Sequence, residues 1–365
     1  MNWKIPFLDL RVEGEEKKYL LDAITAVMDH GQFILGPEVS EFENKIADYC
    51  KRRYAVGVNS GTDALYLGLK SLDMGVGDEV IVPALSWIAT ANAITMTGAT
   101  PVFVDIGNDL NIDIASIKDH IGPRTRAILC VHYAGRMCDV LAIRAIAEEN
   151  KILFLEDASQ AFGAQRDGYV SGEASDVGMF SLNPMKVFNA CGEAGVLVTN
   201  DEAVYQRVMS LRYNGMIDKV HCLEPGLNAR IDTIQAAILL ARFKHLEAKI
   251  QHRQSIAQQY SEGLLGLVSV PFADNEERHI YYNYIIKTPM RDALFDHLRR
   301  SGIEAKLRDP VLMPDQPCYS SLSDKVNYPN AKKLVNQLLS LPIHEKMQAD
   351  DVSYVIQSIK EFINK

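Results

Sequence analysis

A single lysine, Lys186, lies in the apolar stretch FSLNPMKVFNACGEAG, which runs from Phe180 to Gly195. Lysine is rarely buried in folded proteins, because removing its ammonium group from water costs free energy. A lysine in such surroundings is a candidate nucleophile, since a neutral amine can attack a carbonyl group and form an imine. Other segments of the chain contain residue types that could assist this chemistry.

An acidic pair follows the apolar run ILFL, which is typical of a buried strand. The two residues are Glu156 and Asp157. Ligands of open α/β sheets bind at the carboxyl ends of strands, so an acid at this point could pair with a bound cation or a protonated ring. For these two residues alone, a helix cap or a solvated acid is the alternative.

The segment NSGTDAL places a glycine between two hydroxyl residues where a strand is followed by a helix. Gly61 permits a tight turn with exposed backbone N–H groups, and Ser60 and Thr62 add hydroxyls. These are the features of a phosphate site at a helix N-terminus, although plain N-capping is the alternative. No Gly-Lys-Ser/Thr follows, so the segment is not a P-loop. Ser181 ends a later strand and could reach the same phosphate, or it could bind no ligand.

One of the two tryptophans, Trp87, stands in PALSWIATANAI at another strand-to-helix junction. It could stack on a flat ring or pack in the core. Together, these segments indicate a planar, phosphorylated ring that can be protonated and that is held near a lysine. Pyridoxal 5′-phosphate (PLP) has these properties, because its aldehyde forms a Schiff base with lysine and its pyridine nitrogen pairs with a carboxylate.

The elements that must position these residues follow an alternating order. Apolar β-rich runs alternate with helical patterns as far as ILFLEDAS, which predicts a mostly parallel α/β sheet with helices on both faces. SDVGMFSL and EAGVLVTND then read as two strands with no helix between them, so a mixed region is expected there. One long helical stretch is predicted over about residues 230–264. We therefore predict a large PLP-binding α/β domain (1–245) and a small C-terminal α+β domain (246–365).

Composition excludes several classes of protein. The 365-residue chain has a net charge of −9 and no basic run, which argues against nucleic acid as a partner. The six cysteines form no Cys-x-x-Cys pair and no histidine has zinc-finger spacing, so no metal site is predicted. The N-terminus lacks a signal-peptide pattern, and no apolar run approaches the roughly 20 residues of a membrane span. We expect a soluble, cytoplasmic protein with reduced thiols.

The motifs, in this order, resemble a known family. SGTDAL, EDASQAFGA, FSLNPMK, GEAGVLVTND and GLNARIDTIQAAIL are similar to the DegT/DnrJ/StrS-type sugar aminotransferases, and IPFLDL and GQFILGPEVSEFE resemble the start of that family. The resemblance extends over nearly the whole chain and is looser in the C-terminal part. It implies PLP fold type I, with a large domain whose mixed, mostly parallel sheet lies between helices and with a smaller C-terminal domain.

The resemblance also implies roles for individual residues. Lys186 matches the Schiff-base lysine, and Asp157 matches the acid that pairs with the pyridine nitrogen. Gln160 matches a polar residue beside the ring, and Trp87 takes the place of an aromatic that stacks on it. Arg230 is a candidate for binding the carboxylate of the amino donor. The matched phosphate contacts are Gly61, Thr62 and Ser181 of one chain and Asn228 of the neighbouring subunit.

The function implied by the resemblance is transfer of an amino group, with pyridoxamine 5′-phosphate as the intermediate form of the cofactor. The family is built as a homodimer with shared active sites. Its donor is usually glutamate and its acceptor a nucleotide-linked 3- or 4-keto hexose, in amino-sugar and polysaccharide biosynthesis. Three alternatives stay open: a cyclitol or other ketone as acceptor, a PLP-dependent sugar dehydratase, and a non-catalytic regulator. Dehydratases of this fold typically carry histidine in place of the lysine, whereas this chain has Lys186.

Two departures from the family pattern concern the substrate pocket. Phe188 and Asn189 stand where relatives commonly have Leu-Gly, so the loop after the lysine could pack differently. Tyr282 and Asn283 stand where relatives often have His-Leu, which affects the expected contacts of the small domain. No motif identifies the sugar, its nucleotide or the carbon that is aminated.

Overall fold

The computed structural model describes residues 3–271, 277–323 and 328–364. The helices and strands in this paragraph are numbered in chain order. The helices are α1 (Gly14–His30), α2 (Pro37–Tyr49), α3 (Gly61–Ser71), α4 (Ala89–Met96), α5 (Ile114–Asp119), α6 (Val140–Asn150), α7 (Glu202–Leu211), α8 (Thr233–Phe243), α9 (Leu246–Leu264), α10 (Arg291–Arg300), α11 (Ser320–Ser323), α12 (Pro329–Val335) and α13 (Ala349–Ile363). The strands are β1 (Tyr54–Val58), β2 (Glu79–Pro83), β3 (Thr100–Val104), β4 (Thr125–Val131), β5 (Leu153–Asp157), β6 (Gln165–Arg166), β7 (Tyr169–Val170), β8 (Val177–Ser181), β9 (Gly195–Thr199), β10 (Glu277–Arg278), β11 (Tyr284–Lys287) and β12 (Leu338–Leu341).

The main sheet has seven strands in the order β1-β9-β8-β5-β4-β2-β3. Strands β3, β2, β4, β5 and β8 are parallel, and β9 pairs antiparallel with both β8 and β1. The mixed region predicted at the β8–β9 pair is therefore present. Because β1 and β8 are both antiparallel to β9, their carboxyl ends lie at the same edge as those of β2, β4 and β5.

Helices cover both faces of this sheet, as its apolar strands predict. Successive residues of a strand point to opposite faces, so Ile128 packs against the core that includes α2, α6 and α8. The next residue, Leu129, packs against the core that includes α3, α4 and α7. The predicted architecture of a mostly parallel, mixed sheet between two helical layers is confirmed.

The C-terminal part contains the two-stranded antiparallel sheet β11-β12, with α9, α10 and α13 packed around its core. Ile5 joins this core through a parallel bridge to Ile303, so the beginning of the chain packs on its C-terminal part. The division at residue 245 stays a prediction.

The long helical stretch predicted over residues 230–264 is wrong in one respect, because it is two helices. Helix α8 ends at Phe243, and α9 begins at Leu246 after a short break. Neither glycine nor proline marks this break in the sequence. Among the described residues, no helix combines the length and the apolar composition needed to cross a membrane.

Candidate active site

A cavity of about 400 Å³ opens at the edge of the sheet where the parallel strands end. It is lined by residues that follow β1, β2, β5 and β8 and by two residues of the C-terminal part. The sequence-predicted residues that border it are Gly61, Thr62, Trp87, Asp157, Gln160, Ser181 and Lys186. The structure therefore brings these seven residues together, and their roles stay predictions.

The start of α3 forms one wall of the cavity. Ser60 is the N-cap, and its hydroxyl oxygen accepts the N–H of Asp63 at 3.0 Å, so the capping alternative holds for this residue. The N–H groups at the beginning of a helix have no intrahelical partner and attract anions. The first turn therefore keeps the backbone donors of Gly61 and Thr62 for a ligand.

Gly61 also permits a close approach between the start of α3 and the end of β8. A Cβ atom at this position would lie 2.5 Å from the Cβ of Ser181, which is sterically impossible without movement of the backbone. The start of α3 and the end of β8 therefore meet only because residue 61 has no side chain. Their contact places the Ser181 hydroxyl beside the first turn of α3, where both can contact one phosphate.

Asp157 ends β5 at the floor of the cavity and is only 3% exposed. Its Oδ2 accepts the hydroxyl of Thr90 at 2.7 Å, and its Oδ1 accepts the N–H of Ser159 at 3.1 Å. The Thr90 oxygen also lies 2.9 Å from the hydroxyl of Ser86. This chain of hydrogen bonds fixes the carboxylate, and sequence reasoning did not identify Thr90 or Ser86. Their only signal was two hydroxyls four residues apart beside Trp87.

The neighbouring acid, Glu156, points to the other face of the sheet. Its Oε1 lies 2.8 Å from Nε2 of the buried His132, and its two oxygens accept the N–H groups of Gly172 and Ser175 at 3.0 Å. Burial disfavours the carboxylate, but these hydrogen bonds and the charge of His132 outweigh it and lower the pKa of Glu156. Glu156 thus holds the fold together, whereas Asp157 faces the cavity.

Lys186 is half-buried on the loop between β8 and β9. Its Nζ lies 4.4 Å from the ring centroid of Tyr282, which comes from the C-terminal part of the chain. Burial opposes ionisation of the Tyr282 phenol, but the positive charges of Lys186 and Arg308 outweigh burial and lower its pKa. Sequence reasoning marked Tyr282 only as a departure from the family pattern, and the structure places it against the lysine.

The loop that carries Lys186 is anchored by the two residues that depart from the family pattern. The Phe188 ring is buried and lies 4.7 Å from the ring of Phe162. The Asn189 amide donates to the carbonyl of Pro184 at 2.7 Å, and the Asn189 carbonyl accepts a hydrogen bond from the Arg242 guanidinium. These two residues therefore anchor the loop that carries the lysine.

Gln160 is 5% exposed and its Oε1 accepts the N–H of Ala134 at 2.9 Å. This bond orients the side chain so that its NH₂ group is the donor available to a ligand. Trp87, in contrast, is 62% exposed, so it is not a core residue. It borders the cavity and also a second cavity of about 660 Å³.

Asn228 and Arg230 do not border the cavity of their own chain. Asn228 is exposed, and its Oδ1 accepts two hydrogen bonds from the Arg230 guanidinium, at 2.9 and 3.2 Å. The guanidinium also lies over the Tyr213 ring. Their positions are compatible with a contribution to a neighbouring subunit, and both roles stay predictions.

The second cavity shares Ser86, Trp87, Met185 and Arg308 with the first and extends towards the loop that ends in Pro310. The two cavities are therefore adjacent; Lys186 borders the first, which we call the inner cavity, and the second is called the outer cavity. Arg308 was not singled out from the sequence, because the segment KLRDP has no recognisable motif.

The amino-acid sequence is similar to proteins of one aminotransferase family. The profile of the DegT/DnrJ/EryC1/StrS aminotransferase family matches residues 14–360. The dTDP-3-amino-3,4,6-trideoxy-alpha-D-glucose transaminase of Streptomyces venezuelae is 37% identical, over 99% of this chain and 97% of its own.

Two solved structures have the same fold along the whole chain. The structure of S. venezuelae DesV in complex with a ketimine intermediate has a TM-score of 0.95 at 36% identity and covers 99% of each chain. That of NtdA from Bacillus subtilis with bound cofactor PMP has a TM-score of 0.93 at 30% identity, over 99% of this chain and 86% of its own. The predicted fold type is thereby confirmed.

Proposed function

The chain belongs to the DegT/DnrJ/EryC1/StrS aminotransferase family, and from that premise we propose that it transfers an amino group from an amino acid to a nucleotide-linked 3- or 4-keto sugar. Glutamate is the expected donor. The name of the S. venezuelae relative places the transferred amino group on carbon 3 of a dTDP-linked sugar, which supports carbon 3 for the first assays. The product would be an amino sugar for a polysaccharide or glycoconjugate.

One observation supports this proposal above all: Lys186, Asp157 and the contact between Gly61 and Ser181 all border one cavity. These groups fit PLP: a helix N-terminus with a hydroxyl for the phosphate, a buried carboxylate for the ring nitrogen and an amine for the aldehyde. When bound, PLP supplies a carbonyl that joins amines covalently and a protonated ring that accepts electrons. The family's cofactor therefore matches residues that this chain provides.

Asp157 would keep the proton on the ring nitrogen. Its two hydrogen bonds, from Thr90 and Ser159, hold the carboxylate in place before any ligand binds. Opposite charges about 4 Å apart attract by roughly 4 kcal/mol at an effective dielectric constant of about 20. Loss of that much stabilisation from the transition state would lower the rate about a thousandfold.

Lys186 would move the proton that the reaction transfers. With the donor in the site, a free amine at Nζ would take the proton from the donor's Cα and deliver it two bonds away, on the other side of the donor's nitrogen. The half-buried loop keeps the amine inside the cavity, and Tyr282 lies directly against it. In the second half of the cycle, the same proton movements run in reverse with the keto sugar.

The direct test is a panel of nucleotide-linked 3-keto and 4-keto sugars, each incubated with the holoenzyme and ¹⁵N-glutamate. The expected result is one or a few products in which mass spectrometry finds the keto oxygen replaced by a ¹⁵N amino group. A wild-type protein that aminates a cyclitol ketone and none of the nucleotide sugars would contradict the proposed acceptor. Formation of a deoxy sugar without nitrogen would indicate a dehydratase.

We further propose a cytoplasmic homodimer in which Asn228 of each chain reaches the phosphate site of its partner. The exposed position of Asn228, outside its own cavity, supports this arrangement. Mixing Asn228→Ala with Lys186→Ala chains should restore about a quarter of wild-type activity, since half of the dimers are mixed and each of these has one intact site. Size-exclusion chromatography with light scattering checks the dimer, and an inactive mixture that does exchange subunits would contradict shared sites.

A further inference from the structure

The buried arginines of this protein donate several hydrogen bonds each. Even Arg52, whose Nε has no partner, donates from Nη1 and Nη2 to three backbone carbonyls. Arg253 is an example next to the site: its Nε and Nη2 donate to the carbonyls of Tyr281 and Tyr282 at 3.1 Å, and its Nη1 donates to Glu345 at 3.0 Å. A guanidinium carries five donors, and burial without partners costs free energy. Arg253 therefore shows what a purely structural arginine looks like here.

Arg308 differs from this pattern. Among the described residues, its one hydrogen bond runs from Nη2 to the Tyr282 hydroxyl and is long, at 3.4 Å. Its Nε is buried without a partner. Buried polar groups almost always have partners, so an unmatched guanidinium requires an explanation.

The acid next in sequence forms no ion pair with Arg308, although burial of the guanidinium is outweighed by the charges of Tyr282 and Asp309, which raise its pKa. The chain turns at Asp309, which has a positive φ of 44°, a conformation that non-glycine residues adopt only at a cost. The Asp309 carboxylate accepts the hydroxyl of Tyr133 at 2.8 Å. The carboxylate is thus hydrogen-bonded to a tyrosine that follows β4. No described carboxylate forms an ion pair with the Arg308 guanidinium.

The position of Arg308 is also informative. It borders both the inner and the outer cavity, and its Cζ lies 5.6 Å from the centroid of the same Tyr282 ring that Lys186 approaches at 4.4 Å. A substrate whose reacting atom is at Lys186 therefore places its adjoining groups near Arg308. Guanidinium binds carboxylate and phosphate through paired N–H···O bonds.

We propose that Arg308 binds an anionic oxygen group of the substrate and thereby orients the reacting carbon towards Lys186. The proposal rests on the proposed function in one respect, because that function supplies two substrates with such a group. The amino donor has a carboxylate on the carbon that reacts, and the nucleotide sugar has a diphosphate. Both enter the same space in turn, so the experiment must distinguish them.

The test is calorimetric titration of the holoenzyme with glutarate and, separately, with inorganic pyrophosphate. Neither compound can undergo transamination, so the measurement does not depend on turnover. Arg308→Met removes the charge and preserves most of the length, and we expect it to weaken binding of one of the two probes about 10- to 100-fold. Arg300→Met is the matched control, because Arg300 is exposed on α10, and it should bind both probes like the wild type.

Each outcome has a defined meaning. If Arg308→Met binds only glutarate more weakly, Arg308 binds the donor's carboxylate. If it binds only pyrophosphate more weakly, Arg308 binds the acceptor's phosphates. Unchanged binding of both probes, in an Arg308→Met protein with the wild-type visible spectrum, would overturn the proposal. If Arg308→Met does not fold, Arg308→Lys replaces it in the test. Lysine preserves the charge but cannot form two parallel N–H···O bonds, so the affinity for the probe should still fall several-fold.

Steady-state kinetics distinguishes a substrate-binding role of Arg308 from a purely structural one. In Arg308→Met, KM for glutamate or for the acceptor should rise more than kcat falls, with the melting temperature unchanged. Arg230→Met, measured in the same series, tests the earlier candidate for the donor's carboxylate. If the wild type aminates no nucleotide sugar, the proposed function fails, yet the titrations with glutarate and pyrophosphate still decide the role of Arg308.

Discussion

The proposed active site has two sides that are built differently. The proposed cofactor side lies at or just after the ends of strands of one sheet and consists of residues 60–62, Asp157, Ser181 and Lys186. The proposed substrate side lies on loops of the C-terminal part and consists of Tyr282 and Arg308. Short hydrogen bonds hold Asp157, whereas Arg308 makes one long bond to a tyrosine.

The two sides differ in how firmly their side chains are held. The carboxylate proposed to hold the cofactor ends a strand whose backbone is fixed by its hydrogen bonds to neighbouring strands. The guanidinium proposed to meet two substrates in turn keeps a buried donor without a partner. Mutations on the cofactor side should therefore abolish chemistry, and those on the substrate side should change which molecules react and how tightly they bind.

The largest effect is expected from Lys186→Ala on the cofactor side. The variant should show no measurable transamination, because no amine is left at the end of the cavity to join the cofactor or move the proton. Borohydride reduction of the wild-type holoenzyme followed by peptide mapping should leave a pyridoxyl group on Lys186. A tag on another lysine would contradict the assignment.

Asp157→Asn should lower kcat by about a thousandfold, since the amide cannot stabilise a proton on the ring nitrogen. The amide can still hydrogen-bond to Thr90, so the melting temperature should change little. Single-turnover absorbance measurements with glutamate check the rate. Equal rates in the variant and the wild type would remove Asp157 from the mechanism.

Glu156→Gln, at the adjacent position, should have the opposite effect and leave kcat nearly unchanged. It should lower the free energy of unfolding by about 3 kcal/mol, because it breaks a buried charged network with His132. Urea unfolding measures this free energy. The folded-state pKa of Glu156 lies below its ordinary value of 4.5. Its contribution is therefore complete above pH 4.5 and is lost as the pH falls through the lower, folded-state pKa. The stability gap between variant and wild type should narrow on acidification.

The smallest effect is expected from Tyr282→Phe on the substrate side. Loss of a single hydroxyl contact should lower kcat/KM by roughly three- to tenfold. The neighbouring cations lower the pKa of Tyr282 below its ordinary 10.0 despite burial, so one tyrosine of the wild type should ionise early in an ultraviolet titration. That early step should be missing in Tyr282→Phe, and its persistence would show that another tyrosine is responsible.

The same contrast explains how much the sequence predicts. Gly61, Asp157, Ser181 and Lys186 follow recognisable strand runs, and a strand end in a mostly parallel sheet has a known location. Strand alternation also predicts that Glu156 and Asp157 face opposite ways, but not which of them faces the cavity, because that depends on His132, which follows β4.

Other features depend on tertiary packing and leave no local signal. Thr90 is an ordinary helix threonine until α4 places it 2.7 Å from Asp157. Arg308 acquires its position from the turn at Asp309 and the bond to Tyr133, which join residues far apart in the chain. The break between α8 and α9 involves neither glycine nor proline, so periodicity alone predicts one helix where there are two.

The exposure of Trp87 has a practical consequence. The chain has only two tryptophans, and the other, Trp3, lies beside Arg299 of α10. Since Trp87 borders both cavities, its fluorescence should be quenched by energy transfer to a bound chromophore and should change again when a sugar enters. Replacing Trp3 by phenylalanine would leave Trp87 as the single tryptophan, and selective excitation of it could time ligand arrival in a stopped-flow instrument without any added label.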